Sequence, residues 1–362
     1  MMTFDPPTGS GGIEGRTMQY TSRLLERSIH VEVAALSPNI KMSVEPYRGT
    51  RLIRLPSSPL RLPKAFAALV KLMSGSSLDT VFMLSGASTP MGILVLCFSR
   101  FTGRKSGVFF YGRDILQMTK SETGRVSLLL SVHLAGGVAT NSRQTANLLP
   151  YRPRSTLTVV YPGVDPGITN RVAAERDPLS PRILFVGRLV PRKGADLLLS
   201  SFQRLRQRFP ALRLDIVGEG PEAGGLRALA ERNSLGDSVT FHGALYGEEL
   251  WEKYARASLF VMPSRNSADD IEGFGTVFLE AGVFGVPSVG TKVGGIPEAI
   301  VDGVTGRLVE SDNVDQLTAA IQDLLGKPAE IERMGINARR RALEFSWNAS
   351  TDELLHALGR SS

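Results

Sequence analysis

Cysteine is almost absent from this 362-residue chain: Cys97 stands alone, so no disulfide can form within it. Long apolar runs are missing too. The longest, Ile93 to Phe98, is far short of the ~20 residues that a membrane-spanning helix needs. No Gly-x-Ser-x-Gly elbow occurs, which removes the usual support for a hydrolytic triad. Histidine is scarce. His133 lies in an apolar stretch and His242 ends an expected strand, so both read as structural rather than catalytic. No Asp-x-Asp follows a strand and no histidine joins the acids Asp269 and Asp270, so no metal site is expected. The first fifteen residues carry neither a basic residue nor an apolar core, so no secretory signal is expected and the expected location is the cytoplasm.

Apolar residues make up 42% of the chain, and its length favours two domains. Charge divides unevenly between the halves. Residues 1–176 hold 21 Lys and Arg against 10 Asp and Glu, leaving +11; residues 177–362 hold 21 against 25, leaving −4. A basic first half suits an anionic partner such as a membrane surface, an anionic lipid or nucleic acid, and equally suits plain solvated charge. Nucleic acid is the weakest of these, because exposed aromatics do not interleave the basic residues. The stretch Leu62–Met73, with Arg61, Lys64 and Lys71 beside Phe66, Leu69 and Met73, reads as a core-facing helix with a solvated edge, or as an interfacial helix.

Strand and helix alternate along the chain. Apolar runs at Ile183–Val186, Leu212–Val217, Val239–Phe241, Leu259–Met262 and Val286–Val289 predict buried strands. Helical patterns fall between them at Asp196–Arg208, Leu226–Arg232, Glu248–Ala257 and Thr276–Phe284. The first half repeats the rhythm, with strands at Val31–Ala35, Val81–Leu84, Val108–Tyr111, Gly137–Thr140 and Leu157–Val160. This α/β order predicts two Rossmann-like domains with parallel sheets, ligands sitting at the C-terminal ends of the strands. The turn-rich Pro162–Gly167 suits the junction, giving domains over 1–165 and 166–345 and a last helix, 346–362, packing back toward the first domain. Only four residues precede Asp5-Pro6-Pro7, so the expectation is either that the first central strand is a stub or that the sequence lacks a few natural N-terminal residues.

Three segments carry chemistry. Gly11-Gly12-Ile13-Glu14 opens a helix, and its glycines let backbone approach a phosphate or sugar. In Gly187-Arg188-Leu-Val-Pro-Arg192-Lys193-Gly194 a strand ends in a loop with three cations. Arg188 as a fork and Lys193 as a point charge suit one diphosphate, whereas Arg192 fits a solvated surface loop better. In Glu272-Gly273-Phe274-Gly275-Thr276-Val-Phe-Leu-Glu280 two carboxylates flank a glycine turn and a helix start. The helix amides suit a phosphate, and the carboxylates suit hydroxyls on either side of it. Sugar, diphosphate and ribose in that order describe a nucleotide-sugar.

In this order the segments resemble the retaining family 4 glycosyltransferases of GT-B fold. The resemblance also takes in Thr140-Asn-Ser-Arg-Gln-Thr-Ala146, Val160-Tyr-Pro-Gly-Val-Asp165, Val217-Gly-Glu-Gly-Pro221 and Gly294-Gly-Ile-Pro-Glu298. Within that family the Arg188 loop and the acidic approach to Glu272 are similar to the phosphatidylinositol-mannoside mannosyltransferases. The resemblance implies a cleft between the domains, with Arg188, Lys193 and Glu272 catalytic. It implies a donor site of Gly11, Gly12, Arg188, Lys193, Leu245, Glu272, Gly273, Phe274, Gly275, Thr276 and Glu280, in which Glu280 holds the ribose and Leu245 lines the base pocket. It further implies GDP-mannose or a UDP-sugar as donor, no metal and no cofactor, and a lipid-linked or polysaccharide acceptor. For such an enzyme of cell-envelope polysaccharide synthesis, the basic first domain is expected to dock on the inner face of the membrane from the cytoplasm. One departure stands out: Tyr111-Gly112-Arg113-Asp114 occupies the place of the family's frequent His-Gly-x-Asp, whose His sits by the reacting sugar, so Tyr111 takes that catalytic position. A nucleotide-sugar 2-epimerase of the same fold, or a donor-binding subunit without turnover, are the rival readings.

Overall fold

The computed structural model describes residues 1–3, 12–37, 43–56, 62–75, 78–171, 176–177, 179–267 and 270–359. Gly11, the Pro6-Pro7 pair, Arg61 and Asp269 lie outside the described residues. The chain forms two Rossmann-like units, Met1–Pro162 with Trp347–Ser362, and Gly163–Ser346.

The first unit is built on eight strands: β1 (Met2–Thr3), β2 (Glu32–Ser37), β3 (Ser43–Tyr47), β4 (Thr50–Pro56), β5 (Thr80–Met83), β6 (Lys105–Phe110), β7 (Gly137–Thr140) and β8 (Thr156–Val159). They lie in the order β3-β4-β2-β1-β5-β6-β7-β8, parallel except for β3 against β4. Both faces are covered. Along β6, Phe110 enters the cluster with Met83, Val108 and Leu128, while Phe109 enters the one with Tyr20, Phe82 and Leu354. Successive side chains of a strand point to opposite faces, so two adjacent phenylalanines serve two cores. The last helix, Trp347–Ala357, belongs to this unit, with Trp347 edge-on to Tyr20 at 5.7 Å between ring centroids. β1 is central yet only two residues long. Since β2 and β5 both start further back, a cavity of about 360 Å³ remains beneath it, walled by Leu24, Val31, Leu69, Val81, Phe82 and Leu355.

Two features of this unit were not among the sequence expectations. The β3–β4 hairpin was not expected: Arg48 and Gly49, both with positive φ (44° and 81°), turn the chain in two residues, and Pro46 is tolerated because β3 is an edge. The apolar run at 93–98 is a helix, Pro90–Phe101, started by Thr89, whose hydroxyl accepts from the Gly92 N–H with Pro90 in the first turn. The helix Leu62–Gly75 faces the core: Ala65, Leu69 and Met73 are buried and Phe66 meets Phe98 edge-on. This favours the core-facing reading of that segment over the interfacial one.

The second unit holds β9 (Arg182–Val186), β10 (Arg213–Val217), β11 (Val239–Gly243), β12 (Leu259–Met262), β13 (Ser288–Thr291) and β14 (Gly306–Val309). All are parallel, in the order β11-β10-β9-β12-β13-β14. The order reverses between β9 and β12, and ligands of such sheets bind where loops diverge at that point.

Candidate active site

The loops that follow β9 and β12 carry the expected site residues, and the pairing of those strands brings the loops together. After β9 a short turn, Pro191–Lys193, ends at Gly194 in the left-handed region (φ 69°), and the helix Ala195–Arg208 begins. After β12 the chain passes Glu272 and enters the helix Thr276–Val283 through Gly275 (φ 83°). The first amides of a helix lack partners inside it and form its electropositive end.

Glu272 is the centre of this arrangement. Its Oε2 accepts from Lys193 Nζ at 2.5 Å and from Arg192 Nη1 at 2.7 Å, and Arg192 Nε reaches Asp270 at 3.0 Å. The three side chains Glu272, Lys193 and Arg192 are only 10–16% exposed. Burial alone would raise the Glu272 carboxyl, but Lys193 and then Arg192 outweigh it and hold the group below its ordinary value. Backbone supports the carboxylate from beneath: the Gly295 N–H donates to the Glu272 carbonyl at 2.9 Å. A Cβ on Gly294 (φ 54°) would stand 2.1 Å from that same oxygen, so the Gly294-Gly295 pair is a packing requirement of the site.

Arg192 is therefore a correction. The sequence reading left it on the solvated side of the loop, whereas the structure makes it half of a buried ion pair. The pattern hides this, because a loop cation looks the same whether it faces water or an acid eighty residues away. Arg188 is exposed, and among the described residues its side chain has no hydrogen bond or ion pair. Arg265 escaped the sequence reading altogether. It grips Asp196 with both nitrogens at 2.7 and 2.6 Å, donates to the Pro191 carbonyl at 3.1 Å, and its own N–H reaches the Arg192 carbonyl at 2.7 Å, fixing the cationic turn.

Glu280 lies one to two helical turns beyond the helix start and is half-buried. The buried Tyr254 hydroxyl donates to its Oε2 at 2.8 Å. Burial raises its carboxyl above the ordinary range, with that hydrogen bond acting the other way. Phe274 is buried and packs on Phe345, 5.5 Å between centroids, so its ring serves the core and only its backbone faces the turn. Leu245 is half-buried just past β11, whose Gly243 carbonyl takes the Gly218 N–H at 2.7 Å. His242 holds Asp215 at 2.6 Å, and His133 Nδ1 lies 2.9 Å from the Leu129 carbonyl; both have structural partners.

In the first unit Tyr111 follows β6. Its ring stacks on Phe109 at 4.6 Å, and the Arg16 guanidinium lies over it, 5.2 Å from the centroid. Burial pushes the hydroxyl far above its ordinary value, the Arg16 charge acting against this, so Tyr111 remains a protonated donor and is no base. Asp114 caps the following turn, Oδ1 accepting from the N–H groups of Tyr111 at 3.0 Å and Ile115 at 2.9 Å. Burial raises its carboxyl to about 6. Gly12 is the first residue of the helix Gly12–Glu26.

Residues 169–341 match the family described as Glycosyl transferases group 1. A GDP-mannose-dependent alpha-(1-6)-phosphatidylinositol monomannoside mannosyltransferase of Mycolicibacterium smegmatis is 31% identical over 99% of this chain and 97% of its own length. A D-inositol 3-phosphate glycosyltransferase of Segniliparus rotundus is 38% identical over 55% of this chain and 46% of its own. The chain belongs to the group 1 glycosyltransferases. In fold it is similar to sucrose-phosphate synthase from Thermosynechococcus elongatus (TM-score 0.77, 22% identity, 98% of this chain and 97% of the other). It is similar as well to the Anabaena protein HepE in complex with UDP and glucose (TM-score 0.77, 20% identity, 99% and 98%). These are GT-B structures, and the two Rossmann-like units are the halves of that fold.

Proposed function

We propose that the protein transfers a mannosyl group from GDP-mannose to a hydroxyl of an inositol-phosphate acceptor, free or lipid-borne, with retention of the anomeric configuration. The observation that carries this reading is the Glu272 carboxylate held by Lys193 and Arg192 where β9 and β12 part. A cationic clamp beside a helix N-terminus suits a departing diphosphate, and a carboxylate fixed within it suits the hydroxyls of the transferred sugar. The relation to a GDP-mannose-dependent enzyme along 99% of the chain supports the donor, and the names of both curated relatives support an inositol-phosphate acceptor.

In this reading Arg188, exposed in the apo protein, folds onto the diphosphate with Lys193. The Gly273–Thr276 backbone binds phosphate and sugar, Glu280 takes a ribose hydroxyl on the oxygen that Tyr254 leaves, and Leu245 borders the guanine. Gly12, at the start of the helix Gly12–Glu26, offers its backbone to a phosphate or sugar. Cationic side chains do the work a metal does elsewhere, so turnover survives chelation by EDTA. The same reading puts the basic first unit on an anionic inner-leaflet surface, which flotation with anionic and neutral vesicles tests at low salt.

A thermal-shift screen against GDP-mannose, UDP-glucose and UDP-N-acetylglucosamine, followed by transfer assays with the donor that binds, tests the proposal. GDP-mannose is expected to stabilise the protein and to label an inositol-phosphate acceptor. Stabilisation by a UDP-sugar alone, or epimerisation of donor without acceptor, would overturn it.

A further inference from the structure

Arg16 poses a problem that the donor site does not explain. It sits in the second turn of the helix Gly12–Glu26 and is 93% buried, with 7% of its surface exposed. Among the described residues no carboxylate pairs with it. Its guanidinium lies against two aromatic rings, 5.2 Å from the Tyr111 ring centroid and 5.6 Å from that of Phe109. One hydrogen-bonding route is satisfied: the guanidinium meets the Tyr20 hydroxyl, which lies 2.8 Å from Ser350 Oγ, and Ser350 in turn donates to the Tyr161 carbonyl at 2.6 Å. The Arg16 Nη1 is buried with no partner, and so is the hydroxyl of Tyr111.

Among the described residues two donors are thus orphaned about the Tyr111 ring, one carrying a full positive charge. A buried guanidinium without an anion is expensive, and aromatic faces compensate it only in part. The acid closest in sequence to Tyr111, Asp114, spends its carboxylate on backbone N–H groups and offers Arg16 no bond. The helix bearing Arg16 points its electropositive end the same way. Arg16 follows β1, Tyr111 follows β6, and the strand order reverses between β1 and β5. Both groups therefore stand at the C-terminal edge of the sheet beside its switch point, where ligands of such sheets bind.

We infer that Arg16 Nη1 and Tyr111 Oη together hold one oxygen of a substrate phosphate. This rests on the acceptor reading above, since both curated relatives are named for acceptors that carry a phosphate on inositol. The guanidinium only donates and carries a full charge, which favours an ionised oxygen over a sugar hydroxyl, and the phenol adds a second donor beside it. The phosphate can belong to the acceptor or to the donor diphosphate, and two probes distinguish them.

The test is calorimetric titration of the whole chain with inositol 1-phosphate and, separately, with GDP. Arg16→Met keeps the apolar length against the rings, and Tyr111→Phe removes one hydroxyl. The wild type should bind inositol 1-phosphate. Arg16→Met should weaken that binding by about tenfold or more and Tyr111→Phe by about fivefold, the range of a charged and a neutral hydrogen bond. GDP binding, made in the second unit, should hold in both. If GDP weakens and inositol 1-phosphate does not, the pair serves the donor diphosphate and the oxyanion assignment stands with that source. Unchanged binding of both probes in the two variants overturns the assignment, and Tyr111→Phe alone decides should Arg16→Met fail to fold. A wild type that binds neither probe overturns it as well. Failure of the transfer reading shows separately, as inositol 1-phosphate binding that depends on Arg16 with no hexose transfer from any donor.

Discussion

The two units treat charge in opposite ways. In the second, Glu272 is buried against two cations, and the site is electrostatically closed before any substrate arrives. In the first, Arg16 is buried just as deeply but has, among the described residues, only two aromatic rings and one hydroxyl for company. A paired charge keeps its geometry when empty. An unpaired one stores a desolvation cost that a ligand of opposite sign relieves. The second unit is thus built to position groups that it already holds, and the first to gain from what it binds.

The sharpest way to break this contrast is Glu272→Ala, which leaves Lys193 without its carboxylate and Arg192 with Asp270 alone. Removing one partner of a buried pair costs about 3–5 kcal/mol, so a depressed melting temperature of the second unit, read by Trp251 fluorescence, should accompany lost transfer. A variant as stable as the wild type would show that the pair is not energetically closed. Arg188→Ala comes next and separates the roles: exposed and unpartnered in the apo protein, it should leave the melting temperature alone while turnover falls by ~10²–10³, the scale of one transition-state donor. Steady-state kinetics beside a melting curve check both halves of that statement.

The smallest effect is on pH. Asp114 has its folded carboxyl raised from 3.8 to about 6, so the folded state holds that proton more tightly than the unfolded chain. Its contribution to stability is full below about pH 4 and is lost as pH rises through 6. Glu272 runs the other way: lowered by its cations, it contributes above the ordinary glutamate range and loses that contribution as pH falls through its depressed folded value. Trp347 lies in the first unit and Trp251 in the second, so each unit has its own reporter. Between pH 6 and 4 the Trp347 transition should gain stability, and Asp114→Asn should remove that gain. A Trp347 transition indifferent to pH in both proteins would contradict the buried, raised state of Asp114.

Legibility followed the same division. The parallel strands of the second unit were readable because fully buried strands are continuous apolar runs, and Ile183–Val186 or Leu259–Met262 admits little else. The hairpin of the first unit was missed because β3 is an edge strand, Ser-Val-Glu-Pro-Tyr, whose half-exposed pattern carries almost no apolar signal. Its turn was visible in Arg48-Gly49 only in hindsight. The helix Pro90–Phe101 carries its own start signal in Thr89-Pro90, a cap and a first-turn proline. The placement of Lys193 and Glu272 on loops after β9 and β12 was open to pattern reading. Arg192 and Arg265 were not, since their partners Glu272, Asp270 and Asp196 lie 69 to 80 residues from them.

By itself the sequence determined the alternation of strand and helix, the two-domain division, the glycine turns and the order of motifs that mark a glycosyltransferase, because these depend on residues close together in the chain. Tertiary structure decided which charges are compensated. Whether a cation is solvated, paired or left against aromatic rings depends on what distant strands carry to its side, and neither composition nor spacing encodes that. Arg188, Arg192 and Arg16 are one residue type in three electrostatic states, and only packing told them apart.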